Sequence, residues 1–192
     1  MAILSHVATK LLPALLLLQM IAMNSSAAEI KGVPFAETVQ VHNVTLSLHG
    51  LAILKWAMLF DVYAGGFYLP DAVAGSDWDE DVPKKLELAY FREIAANAFA
   101  ESSDQLLRET LTPTEYLNLS ARLQTFYTFF QDVKPGDRYS INYLPGRGTE
   151  LRLNGEILGQ VPGHDFAVAY FGLWLGPEPI SAAFRDKLLE GV

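Results

Sequence analysis

Phe60-Asp61-Val62-Tyr63-Ala64-Gly65-Gly66-Phe67-Tyr68-Leu69-Pro70 follows directly on a second apolar run, Gly50-Leu51-Ala52-Ile53-Leu54-Lys55-Trp56-Ala57-Met58-Leu59. Together they read as one long strand, or as two broken by a bend, carrying a lone basic residue, Lys55, and two tyrosines, Tyr63 and Tyr68. Adjacent glycines weaken a strand, so Gly65-Gly66 marks a bulge, a bend, or a place where another group comes close to the backbone. If no bulge intervenes, the two-residue period puts Lys55, Asp61 and Tyr63 on one face and Trp56, Met58 and Phe60 on the other. Lys55 then either faces a cleft, as an ammonium for a carboxylate or enolate with Tyr63 or Arg92 assisting, or faces solvent with Asp61 as its ion-pair partner.

On the N-terminal side, Glu37 to Leu48 alternates but slips in phase. Val39 and Val41 are in step, and Val44, Leu46 and Leu48 are in step only with each other, which predicts a bulge near Asn43. On the C-terminal side, Pro70 to Pro83 is a polar loop crowded with Asp71, Asp77, Asp79, Glu80 and Asp81. It lacks the spacing of a calcium loop and reads as solvated. Lys84 to Phe91 alternates as a strand, and Ile94 to Thr110 has helical spacing. Thr112-Pro113-Thr114-Glu115 is a capping box with proline at the first helical position, so a second helix starts there and ends by Pro135-Gly136-Asp137. Tyr139, Ile141 and Tyr143 alternate again, and Asn154-Gly155 marks a hairpin tip after Leu151 and Leu153. Gly163 to Leu175 is apolar nearly all round and predicts a buried helix; Ile180 to Leu189 predicts a final amphipathic one. Strands, two helices, strands and two more helices make an α+β domain with helices packed on an antiparallel sheet.

The chain has 192 residues and no cysteine, which leaves neither a disulfide framework nor thiolate chemistry. Lys10, an apolar run from Leu11 to Met23, and the small residues Asn24-Ser25-Ser26-Ala27-Ala28 have the form of a signal peptide, with cleavage expected after Ala28. The run is about 13 residues, short of the roughly 20 that span a bilayer, so no stable transmembrane segment is expected after processing. The remainder, 29–192, suits a single domain, and its expected location is outside the cytoplasm, in the periplasm. It holds every acidic residue and loses only Lys10 among the basic ones, so nine more acidic than basic side chains remain. That excess disfavours nucleic acid and anionic lipid surfaces as partners. His42, His49 and His164 show no metal-ligand spacing, and no phosphate loop or nucleophile motif occurs, so no metal and no cofactor is expected.

The ordered set Gly50…Lys55…Phe60-x-Val62-Tyr63-x-x-x-Phe67-Tyr68-Leu69, Tyr90-Phe91-Arg92, Gly136-Asp137…Pro145-Gly146-x-Gly148-Thr149, Val161-Pro162-Gly163-x-x-Phe166 and Leu173-Trp174-Leu175-Gly176 resembles the bacterial chalcone isomerase-like proteins. The resemblance runs over essentially all of 36–192. It implies an open-faced β-sandwich, a large antiparallel sheet backed by helices, with a cleft between the sheet and two of the helices. In the plant enzymes of that fold an arginine, a threonine, a tyrosine, an asparagine and a last hydroxyl surround a chalcone that closes to a flavanone. The matching positions here are Lys55, Tyr63, Phe99, Leu106 and Ser181. Phe99 and Leu106 cannot hydrogen-bond, and lysine is a point charge rather than a planar fork.

The resemblance therefore implies the fold more than the reaction. The expected function is non-catalytic binding of a small amphipathic or hydrophobic acid, of fatty-acid or phenolic type, at Lys55, Tyr63, Arg92, Phe99, Leu106 and Ser181. Two of these have a structural reading beside the functional one: Arg92 as the partner of Glu93 or of a neighbouring strand, and Ser181 as a helix cap after Pro179. Two alternatives stand beside it. One is an isomerase or intramolecular lyase for a chalcone-like enone; the other is an envelope protein that acts through a protein partner, with its cleft filled by its own side chains. Trp56, Phe60, Tyr63, Tyr68, Phe99, Tyr170, Phe171 and Trp174 are mostly core aromatics, some of which are placed to line an apolar pocket.

Overall fold

A computed structural model describes residues 27–57 and 59–191. A short hairpin, β1 (Ala27–Ile30) and β2 (Val33–Ala36), precedes a seven-stranded antiparallel sheet. The sheet comprises β3 (Thr38–Val41), β4 (Val44–Trp56), β5 (Phe60–Leu69), β6 (Lys84–Tyr90), β7 (Arg138–Leu144), β8 (Gly148–Leu153) and β9 (Glu156–Val161), each hydrogen-bonded to the next in the chain. Helices α1 (Ala96–Thr110) and α2 (Pro113–Tyr127) lie between β6 and β7, and α3 (His164–Leu175) and α4 (Ala182–Leu189) follow β9.

The helices cover one face of the sheet. Leu88, Tyr139, Ile141 and Leu151 pack there against Leu107, Phe126, Phe166 and Phe184, all buried. Each such side chain contributes about 1.5–3 kcal/mol by leaving water. The β1–β2 hairpin covers part of the other face, where Phe35 packs with Ala64, Tyr68 and Ala89. The sheet is curled, so that the β3–β4 turn reaches β8, with His42 Nε2 3.3 Å from a Glu150 carboxylate oxygen. The α+β open-faced sandwich expected from the sequence is the observed fold.

Most element boundaries agree with the sequence reading. Thr112 and Glu115 make the reciprocal capping box at the start of α2. Arg122 of α2 clamps the start of α3 through a two-pronged pair with Asp165 (2.7 and 2.5 Å). The expected targeting segment, 1–28, lies outside the described residues as far as residue 26. Ala27 and Ala28 already belong to β1, opposite Ala36 and Phe35.

Two local expectations are corrected, and a third is narrowed. The phase slip near Asn43 is a two-residue hairpin turn, with Val41 opposite Val44, and His42 adopts the left-handed backbone (φ 54°). A turn and a bulge shift the phase alike, and His42-Asn43 lacks the glycine that usually announces a turn. The loop from Pro70 to Pro83 is pinned rather than merely solvated. Lys84, at the start of β6 and fully buried, donates to the carbonyl oxygens of Trp78 (2.6 Å) and Glu80 (2.7 Å). Desolvation lowers the Lys84 pKa to about 8, against the pull of Asp79, Asp81 and Glu80.

Gly65-Gly66 neither bends nor bulges the strand; of the three readings the sequence offers, close approach of another group is the observed one. Both glycines pair in register with Leu88 and Glu87 on one side and with Ala52 and Leu51 on the other. They let rings press onto the sheet from both faces. A Cβ on Gly65 would sit 2.4 Å from the Phe184 ring, and one on Gly66 would sit 2.7 Å from the Phe35 ring. The real irregularities lie on either side of the glycines. His49 is an extra residue between Leu48 and Gly50, and Val62 is an extra residue between Asp61 and Tyr63. Each bulge swaps the faces of the strand beyond it.

Candidate ligand-binding cavity

Between the sheet and the helices lies a cavity of about 630 Å³, open at one end. That is well within the roughly 300–1,000 Å³ of small-molecule sites. Its floor comes from inward-facing strand residues: Leu54 of β4, Tyr63 of β5, Tyr90 of β6 and Tyr139 of β7. Its wall comes from α1, where Phe99, Ser103 and Leu106 recur at helical spacing on one face, and from Tyr170 and Trp174 of α3. The Tyr90 ring is met edge-on by Tyr63 (5.4 Å), Phe99 (5.5 Å) and Tyr139 (5.9 Å), and Phe99 stacks on Phe130 (5.3 Å). This arrangement suits the ring quadrupoles.

The hydroxyls in this apolar setting are neutral. Burial pushes the pKa values of Tyr63, Tyr90 and Tyr170 up, so each keeps its proton and acts as a hydrogen-bonding group rather than a base. Tyr139 is committed to Gln131, accepting from its backbone N–H (2.8 Å) and donating to its carbonyl oxygen (2.7 Å). Tyr170 and Ser103 share a hydrogen bond of 3.2 Å. Tyr63 accepts from the Trp174 indole N–H (2.8 Å). Of the described residues that line the cavity, Arg92 alone carries charge, and none is Asp, Glu, His or Lys. Arg92 is exposed at the mouth; its Nε donates to the Asp61 carbonyl oxygen (3.1 Å), and its guanidinium lies 4.9 Å from the Phe60 ring centroid.

The six residues singled out from the sequence divide four to two. Tyr63, Arg92, Phe99 and Leu106 line this one cavity; Lys55 and Ser181 do not. The bulge at Val62 is the reason for Lys55. It leaves Lys55 opposite Asp61, while Trp56, Phe60 and Tyr63 all reach the cavity side. The expected grouping of Lys55 with Tyr63 is thereby corrected. Lys55 is exposed, and the Asp61 carboxylate is bound by Lys31 from the β1–β2 turn. That bond, with Lys55 and Arg92 nearby, lowers the Asp61 pKa. Ser181 caps α4, its Oγ accepting from the Phe184 N–H (3.3 Å).

Among the aromatics, Trp56, Phe60, Tyr170 and Trp174 line the cavity, whereas Tyr68 belongs to the opposite face and Phe171 lies near Lys84. Tyr90, Ser103 and Tyr139 were not anticipated as lining residues. Alternation marks Tyr90 and Tyr139 as inward-facing, but an inward position lines a cavity only where the helix above it stands off. Among the described residues no cluster of His, Asp or Glu is placed to hold a metal ion, and no helix is long and apolar enough to cross a membrane.

The chalcone isomerase-like family model matches residues 27–190, nearly the whole described chain. The chain belongs to the chalcone isomerase-like family. Among solved structures, a fatty-acid binding protein from Arabidopsis thaliana shares the fold with a TM-score of 0.67 at 18% identity, covering 86% of this chain and 96% of its own. No curated protein sequence matches the chain.

Proposed function

We propose that this protein binds a small amphipathic or hydrophobic acid, of fatty-acid or phenolic type, without transforming it. The apolar part would lie among the aromatic rings of the cavity and the carboxylate would sit at Arg92. The observation that carries this reading is the cavity itself, open and almost wholly apolar, with Arg92 at the mouth as the one charged side chain among the described lining residues. A carboxylate buried among the tyrosines would be stranded without a counter-ion, at a cost of several kcal/mol. At Arg92 it gains a charge-assisted hydrogen bond and stays hydrated. The Arabidopsis protein of the same fold is named for fatty-acid binding, which agrees with a ligand of this class.

A non-catalytic role is supported by the lining: its buried tyrosine hydroxyls are neutral, and among the described lining residues there is no Asp, Glu, His or Lys to serve as a base or as a deep cation for an enolate. A site closed by its own side chains, as expected for a protein acting only through a partner, fits poorly with the open cavity. Export to the periplasm through residues 1–28 belongs to the same proposal and rests on the sequence.

Titration with an anthroyloxy-labelled stearate tests the reading. Saturable one-to-one binding is expected, weakened roughly tenfold by Arg92→Gln, a loss of about 1.4 kcal/mol, and unchanged by Lys55→Gln. Failure of the wild type to bind, together with turnover of a chalcone above the spontaneous rate, would replace binding by isomerisation.

A further inference from the structure

The mouth of the cavity is built from side chains that soluble proteins mostly cover. Trp56 is 69% exposed, Leu59 78%, Phe60 46% and Ile180 49%; these are four of the six large hydrophobic residues most exposed among the described residues. They are gathered at one place. Trp56 and Phe60 stack on each other across the β4–β5 tip (6.5 Å, 25°), Leu59 lies between them in the turn, and Trp56, Phe60 and Ile180 also line the cavity. The apolar surface therefore runs unbroken from the interior onto the outside.

Cations flank this tip. The Arg92 guanidinium lies over Phe60, Lys55 is paired in register with Asp61, and Lys31 comes from the β1–β2 turn onto the same Asp61. Against Lys31, Lys55 and Arg92 stand Asp61, Glu93 and, two residues before Ile180, Glu178, so the rim is close to neutral on a chain whose net charge is −8. Charges farther off than about 8 Å are screened at physiological salt, so the acidic remainder of the chain weighs little on a contact made by this tip. A narrow hairpin tip with indole and aliphatic groups at its end and basic groups behind it is the pattern of membrane–water interfaces. A protein partner would ask instead for a broad, shape-matched surface.

We propose that this rim docks on a phospholipid bilayer. The Trp56–Phe60 tip enters the interfacial layer, and Lys31, Lys55 and Arg92 meet lipid phosphates. The hydrophobic ligand then passes between bilayer and cavity without crossing bulk water. The transfer step rests on the ligand-binding reading above; the docking step does not.

Flotation with vesicles of phosphatidylcholine and phosphatidylglycerol, free of fatty acid, tests docking directly. The wild type should float with the vesicles. Leu59→Asp and Lys55→Glu, both at exposed positions outside the cavity lining, should each lower the vesicle-bound fraction roughly tenfold. The variants share the wild-type N-terminus, so the difference between them reports the rim alone. With anthroyloxy-stearate in the vesicles, the wild-type transfer rate should rise with vesicle concentration, and the Leu59→Asp rate should not. Probe binding in vesicle-free buffer should be equal for the two. Equal flotation of wild type and both variants, or none by the wild type, overturns docking. Loss of probe binding in vesicle-free buffer overturns the ligand reading instead, and flotation still decides docking.

Discussion

The indole N–H of Trp174 donates to the Tyr63 hydroxyl at 2.8 Å, tying α3 to β5 across the wall and floor of the cavity. It is a direct polar link between the helical layer and the strand that carries Gly65-Gly66. Tyr63→Phe leaves the indole donor without its partner and should destabilise the protein by about 1–3 kcal/mol. Urea denaturation of Tyr63→Phe, Trp174→Phe and the double variant measures the coupling. Strict additivity of the two single effects would mean that the bond contributes nothing.

Gly65→Ala should destabilise the fold by about 1–3 kcal/mol through overpacking, because the new methyl would meet the buried Phe184 ring at 2.4 Å. Phe184→Leu in the Gly65→Ala background should recover part of that loss, although Phe184→Leu alone is destabilising. A double-mutant cycle by thermal melting checks this, and the absence of rescue would show that the contact is not the cause.

Leu106 is half-buried on the cavity face of α1. Leu106→Trp should fill part of the cavity beside α1 and cut affinity for a long-chain acid by tenfold or more, roughly 1.4 kcal/mol upward, with little change in melting temperature. The same substitution should affect a short-chain acid less. Equal losses for both chain lengths would argue that the chain does not run past α1.

Stability should depend on pH through Lys84. Its folded pKa is about 8, below the ordinary 10.5. Between those values the unfolded chain holds the proton that the folded chain has released, so this residue's contribution to stability rises with pH across the window and is flat below it. The two hydrogens of the neutral amine still satisfy the carbonyls of Trp78 and Glu80. The stability difference between wild type and Lys84→Met should therefore move in favour of the wild type as pH rises from about 8 to about 10. A difference independent of pH would place the Lys84 pKa at its ordinary value.

Local chemistry made much of this legible from sequence. The capping box at Thr112, the Asn154-Gly155 tip, and the alternation of Tyr139, Ile141 and Tyr143 each encode their geometry within a few residues. The cavity was half legible. Phe99 and Leu106 share a helical face whatever that helix packs against, but Lys55 depended on register. One extra residue at Val62 reverses the faces of the strand tip, and nothing in Phe60-Asp61-Val62-Tyr63 announces it. Lys84 was opaque for a similar reason. Its burial is decided by Trp78 and Glu80 folding back over it, which is a tertiary event.

The strict sequence order of the sheet has a kinetic consequence. Each strand finds its partner in the next segment of chain, so the sheet needs few distant encounters, apart from the closure of β6 on β7 around α1 and α2. The walls of the cavity arrive by other routes, from that same excursion and from the helices after β9. We expect β3 to β6 to gain hydrogen-exchange protection before α1 and α3 in pulse-labelled refolding; simultaneous protection would refute this order. On this expectation the chain passes through a stage with β3 to β6 formed and their part of the apolar floor, Leu54, Tyr63 and Tyr90, uncovered, when ligand or lipid would meet these side chains before the helices do.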